Sequence, residues 1–153
     1  MSRKIRWGVL LLGACVLASS AWAQNPVPLA IKAWYAERLE VFPELKSLPE
    51  WSPSLSAFAL AHAQDLIRRG VLSHRDAQGR DVAQRAGEAG LPPGEYGEVV
   101  GAGPLWQKIW YAWRNSPEHR ELLLEPHWQA WGGALVRDGK VLVCVIDEYR
   151  SRD

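Results

Sequence analysis

The strongest constraint on the fold stands near the C-terminus. Two apolar, β-branched runs, Ala134-Leu135-Val136 and Val141 to Ile146, flank Arg137-Asp138-Gly139-Lys140. Asp-Gly between such runs favours a tight type I′ turn, because glycine tolerates the positive φ that this turn demands. An antiparallel hairpin is therefore predicted. A lone hairpin is marginal in water and needs a partner for its apolar face. The rest of the chain has to supply that partner.

The preceding segments read as helices. Ser52-Pro53 is an N-cap followed by proline at the first helical position. Leu55, Phe58, Ala59, Ala63, Leu66 and Ile67 then mark one helical face, and Gly70 is the stop. Upstream, apolar positions 31, 34, 35, 39 and 42 predict a helix within Leu29 to Phe42, broken by Pro43 to Pro49. Asp81 and Gln84 fit a capping box for a short helix ending by Gly90. Leu105 to Asn115 returns to helical spacing. Ser116-Pro117 repeats the cap-and-proline device for a segment that stops by Pro126. Leu91 to Pro104 holds three prolines and four glycines and reads as a loop, with Val99-Val100 making only a short strand. The class is α+β, and 153 residues suit one domain.

The first 23 residues read as a secretory signal peptide. Arg3, Lys4 and Arg6 precede the apolar run Gly8 to Ala18, and Ala21-Trp22-Ala23 offers small residues for cleavage before Gln24. The competing reading is a lipobox, Leu12-Gly13-Ala14-Cys15, which would leave an acylated Cys15; the apolar stretch before Cys15 is short for that. Residues 24–50, the N-terminal segment and first helix, then form one globular unit with 51–153. The expected location is exported, periplasmic or secreted. The apolar run is too short to span a bilayer, and no later segment comes close.

Cleavage leaves 15 basic residues against 17 acidic ones. No basic excess remains to hold nucleic acid or an anionic membrane. Only Cys144 remains, so no intramolecular disulfide can form and the core must carry the stability. Between Val143 and Val145, Cys144 reads as a small buried hydrophobe and not a nucleophile.

Few residues suggest chemistry. His62, between Ala61 and Ala63 of a helix, reads as structural or surface, as does His127 after Pro126. His74 stands in a polar loop just past a helix end, where function collects. His119 lies in a helix first turn, where the dipole favours a neutral imidazole. Glu98 stands in Gly97-Glu98. Their spacing alone is not a metal signature such as His-Glu-x-x-His. Trp106, Trp110 and Trp113 share one helix face. A core stripe is the expected role, and the functional alternative is a wall for an apolar ligand. Trp128 and Trp131 read as core.

Ser73-His74-Arg75-Asp76, Gly79-Arg80, Gly90, Gly97-Glu98 and Trp113-Arg114-Asn115-Ser116-Pro117-Glu118-His119-Arg120 with Leu123 occur in this order. Together they resemble the bacterial branch of the CAP superfamily, the cysteine-rich secretory, antigen 5 and pathogenesis-related proteins with SCP-like extracellular domains. The match runs from about Trp51 to Val145. The resemblance implies an exported three-layer α–β–α sandwich with a small antiparallel sheet. It also implies a cleft lined by His74, Glu98 and His119, which in several relatives binds a divalent cation. Three departures stand out. Val99 replaces the usual Asn after Gly-Glu, Ser116 stands where eukaryotic members carry a Glu, and their strand His has no counterpart in Val141 to Ile146.

The favoured function is a CAP-type binding or interaction module without robust catalysis and with no required cofactor. Its partner would be a small molecule, a lipid or a protein. The alternatives are a metal-assisted hydrolase that uses His74, His119 and Glu98 on a zinc-like cation, and an apolar-ligand carrier. Beyond Glu95 and Asp76 the sequence offers the hydrolase no spare general base.

Overall fold

Local caps set the helix ends. In the computed structural model, which describes residues 26–41 and 48–153, α1 spans Val27–Val41 and α2 spans Pro53–Arg69. The Leu55 backbone N–H donates to Ser52 Oγ at 3.2 Å. Gly70 ends α2 in the left-handed region, φ 65°. The capping box of Asp81 and Gln84 opens α3 (Val82–Glu88). Next come α4 (Trp106–Asn115) and α5 (Pro117–Leu123). Ser116 makes no side-chain bond to the α5 backbone; its hydroxyl is used elsewhere. The signal segment, the Ala23 cleavage site and Cys15 lie outside the described residues. Among the described residues no helix is long and apolar enough to cross a membrane.

The strands β1 (Glu50–Trp51), β2 (Glu95–Gly103), β3 (Ala130–Asp138) and β4 (Val141–Arg150) form one sheet in the order β1-β3-β4-β2. The hairpin β3–β4 is present and longer than expected. Asp138 pairs with Val141, so the two turn residues are Gly139 and Lys140, one position later than an Asp-Gly centre, with Gly139 at φ 56°. β1 joins β3 in parallel, which makes the sheet mixed and not purely antiparallel.

β2 corrects the reading of 91–104 as a loop with a short strand. It is nine residues long and pairs with β4 along its whole length. The glycines that argued against a strand serve close packing instead. A Cβ at Gly97 would lie 2.7 Å from Trp128, and one at Gly101 would lie 2.6 Å from Ile109. Ladder hydrogen bonds outweigh the weak strand propensity of glycine there.

Alternation along the strands sorts the core into two halves. On one face Val100, Ala134, Val143 and Val145 meet Ala59, Ala63 and Leu66 of α2. On the other, Val99, Leu142, Cys144, Ile146 and Trp131 meet α1, α4 and α5 through Ile31, Trp106, Ile109, Trp113 and Leu123. The result is a three-layer α–β–α sandwich. The helix covering the hairpin is α2; α4, expected in that place, lies mainly over β2 and touches β4. Trp106 and Trp113 are buried and Trp110 is half-buried, so the protein itself packs most of the tryptophan stripe. The indoles of Trp113, Trp128 and Trp131 donate to the carbonyls of Val100, Leu122 and Pro49. Cys144 is sealed in, and burial pushes its thiol well up from its ordinary range.

Candidate functional site

The loop after α2 is pinned from both sides. His62 Nε2–H, from inside α2, donates to the Ser73 carbonyl at 2.9 Å. Arg69 donates to the Arg75 carbonyl at 2.7 Å, and Arg75 to the Gly79 carbonyl at 2.7 Å. Asp76 closes the turn by accepting the backbone N–H groups of Gln78 and Arg80, each at 2.9 Å, and the Arg80 side chain at 2.7 Å. His74 thus projects from a backbone with little freedom.

Its partner is Glu98. His74 Nδ1–H donates to Glu98 Oε1 at 2.9 Å, joining residues 24 apart in sequence. Arg85 of α3 donates Nη2 to Glu98 Oε2 and also reaches the His74 carbonyl at 3.3 Å. The Arg85 guanidinium lies over the Phe58 ring, 5.1 Å from its centroid. Burial alone would push the Glu98 carboxyl up; the His74 and Arg85 donors outweigh it and hold the group below its ordinary value. The bond to Glu98 raises the His74 imidazole. His62 Nε2 lies 3.8 Å from Glu98 Oε1, and burial lowers that imidazole.

His119 stands beside this pair without joining it. Its Nδ1 hydrogen-bonds Ser116 Oγ at 2.8 Å, which is where the missing cap oxygen went. Its ring stacks on Trp113, with centroids 6.4 Å apart. Its pKa is lowered, as expected from a helix first turn, but the causes are burial first and then the charge of His74. His74 and His119 are thus neighbours that feel each other. His127 is exposed and bonded to Glu125 at 2.5 Å, and Glu95 pairs with Arg150.

A cation would find poor terms here. Both Glu98 oxygens already accept N–H donors, and one of those donors is a guanidinium. Two imidazole Nε2 atoms remain, fewer than the three protein ligands usual at a catalytic zinc. Among the described residues no three His, Cys, Asp or Glu side chains converge as metal ligands. A cavity of about 330 Å³ opens between α2 and α3; His62 and Arg85 line it, and His74, Glu98 and His119 do not.

Sequence reading missed three members of this cluster. His62 supports the loop and faces Glu98. Arg85 was legible only as a base on the buried side of a seven-residue helix, next to Ala86. Asp147 lies directly opposite Glu98 on β4 and is fully buried. Its signal was an acid pair, Asp147-Glu148, continuing an apolar strand that the sequence reading ended at Ile146.

The fold has relatives. An outer surface protein from Borrelia burgdorferi superposes with a TM-score of 0.67 at 22% identity, over 80% of this chain and 92% of that one. An extracellular protein containing an SCP domain from Bacillus anthracis gives 0.64 at 18% identity, over 80% of this chain and 40% of the other. A cysteine-rich secretory protein from Staphylococcus aureus gives 0.56 at 15%, over 83% and 40%. Likeness at such identities establishes the fold alone. Comparison with curated proteins gives no significant match. The model of the cysteine-rich secretory protein (CAP) family matches residues 43–146, more than half of the chain. With the α–β–α sandwich around the His74–Glu98 pair, this places the chain in the cysteine-rich secretory protein family.

Proposed function

We propose that this protein is an exported binding module that captures an acceptor-bearing, anionic small ligand at the exposed Nε2 edge of His74. One observation carries the reading. Glu98 is buried with both oxygens committed, one to His74 Nδ1 and one to Arg85, so the imidazole is oriented, and the His74 side chain is largely exposed, which leaves the other nitrogen for a ligand. The raised His74 pKa keeps Nε2 an N–H donor further into the neutral range, which suits a carboxylate or phosphate oxygen. His119, lowered and next to it, adds a second imidazole at the rim. Binding is favoured over covalent catalysis because the Ser–His contact, Ser116 Oγ with His119 Nδ1, has among the described residues no carboxylate hydrogen-bonded to His119 to orient it as a base. Export is supported by the basic, then apolar N-terminus and by similar structures described as an outer surface protein and an extracellular protein.

NMR of the exported protein, resolving its His, Trp and Tyr ring signals and titrated with acetate and with inorganic phosphate, tests the reading. The His74 and His119 ring resonances should move and saturate in the native protein. The His119 response should vanish in His74→Ala, and the His74 response should weaken in Glu98→Gln. A response that persists in His74→Ala, or that appears only around Trp110 and Tyr111, would overturn it.

A further inference from the structure

Asp147 on β4 and Glu98 on β2 are direct cross-strand partners. Such partners share a face of the sheet, with Cβ atoms about 4.5–5.5 Å apart. Asp147 is completely buried. Among the described residues no N–H or O–H donates to either of its oxygens, and the cross-strand Glu98 carboxyl is the group that bears on it. Two buried carboxylates side by side are both acceptors, so the pair is tolerated in the core only with a proton between them.

The surroundings decide which carboxyl keeps the proton. Glu98 has two N–H donors, from His74 in the loop and Arg85 on α3. Asp147 has none. Arg85 is the cation that faces the pair from α3, and one guanidinium does not offset two buried carboxylates. From α2 comes His62, which burial holds toward neutral, and the Ser56 hydroxyl, which donates to the Ser52 carbonyl. From β3 the register partner is Gly132, with no side chain to offer. Glu148, next along β4, points to the opposite face and adds only further negative charge. The proton therefore rests on Asp147.

We propose that Asp147 is a positioning residue of the His74 site: held protonated, it donates its O–H to Glu98 and fixes that carboxylate on His74 with a single negative charge. This rests on the reading of His74 and Glu98 as the binding site. The shared proton draws charge from Glu98 and moderates its pull on the His74 proton. A residue beneath the sheet surface thus sets the pH range over which the exposed Nε2 changes charge.

Two variants of the exported protein test it. Asp147→Asn keeps the shape and a donor but no removable proton. Asp147→Leu keeps the bulk and loses the donor. At neutral pH the infrared carbonyl stretch of a protonated carboxyl should be present in the native protein and absent in Asp147→Asn. The His74 midpoint, read by NMR, should stay near native in Asp147→Asn. In Asp147→Leu it should rise by about half a pH unit or more. A purely structural role would lower stability without moving that midpoint. Absence of the native band, or an unchanged midpoint in Asp147→Leu, would refute the proposal. Should Asp147→Leu fail to fold, the band in native protein against Asp147→Asn decides. The band and midpoint need no ligand, so their failure is separable from a failed acetate or phosphate titration.

Discussion

His62 and His74 are the same side chain driven in opposite directions by their surroundings. His62 is sealed inside α2, and burial lowers it from 6.5. Between its folded value and 6.5 the unfolded chain binds more protons, so stability falls as pH drops through that window. His119 acts with the same sign. His74 acts with the opposite one: its contribution is full below 6.5 and is lost as pH rises through its folded value. The His74 side chain is 58% exposed, however, so solvent screens its share. Asp147, held protonated in the fold, has the sign of His74 across the same range, because the unfolded chain has already lost that proton. The His62 share is therefore read as a difference: as pH falls from neutral to about pH 5, denaturation midpoints should shift in favour of His62→Gln relative to the native protein. Equal slopes for the two proteins would remove His62 as the cause.

At the scale of elements, the tightest seam is α2 against β3. A Cβ at Gly132 would lie 2.3 Å from the Ser56 nitrogen and 2.5 Å from the Leu55 carbonyl carbon. Both are backbone atoms, so no rotamer change relieves the clash; α2 would have to lift off the sheet. Gly132→Ala should lower unfolding free energy by about 3 kcal/mol. Gly87 in α3 is the control, because a Cβ there meets nothing within 4 Å. Gly87→Ala should leave stability unchanged or raise it by up to about 1 kcal/mol. Urea melts of both variants measure this, and a Gly132→Ala melt matching the native one would contradict the packing. The seam matters for function, because α2 also carries His62 to the His74 loop.

For the whole molecule, the fold of this family is kept here without any disulfide among the described residues, since Cys144 is free and buried. Stability rests on the two core halves on either side of the sheet. The location of the protein depends on its N-terminus. N-terminal sequencing and intact mass of the exported chain should give Gln24 as the first residue. A chain beginning at lipid-modified Cys15 would instead tether the domain to a membrane.

What was legible in the sequence is local. Ser52-Pro53, Gly70 and the Asp81–Gln84 box each act within four residues, so the helices they bound follow from the chain alone. The hairpin is similar, because its strands are joined by two residues. His74 and Glu98 were legible as a pair only through resemblance, since nothing in their spacing joins them. Asp147, Arg85 and the length of β2 were decided by tertiary structure. β2 is a strand because β4, with pairing partners 39 to 55 residues away, supplies its hydrogen bonds, and its glycines are there to admit Trp128 and Ile109. Asp147 acquires its role only through the register that sets it opposite Glu98, and Arg85 only because α3 lies where its guanidinium can reach that carboxylate. A charge in the core takes its meaning from its neighbours in space, and those neighbours are far away along the chain.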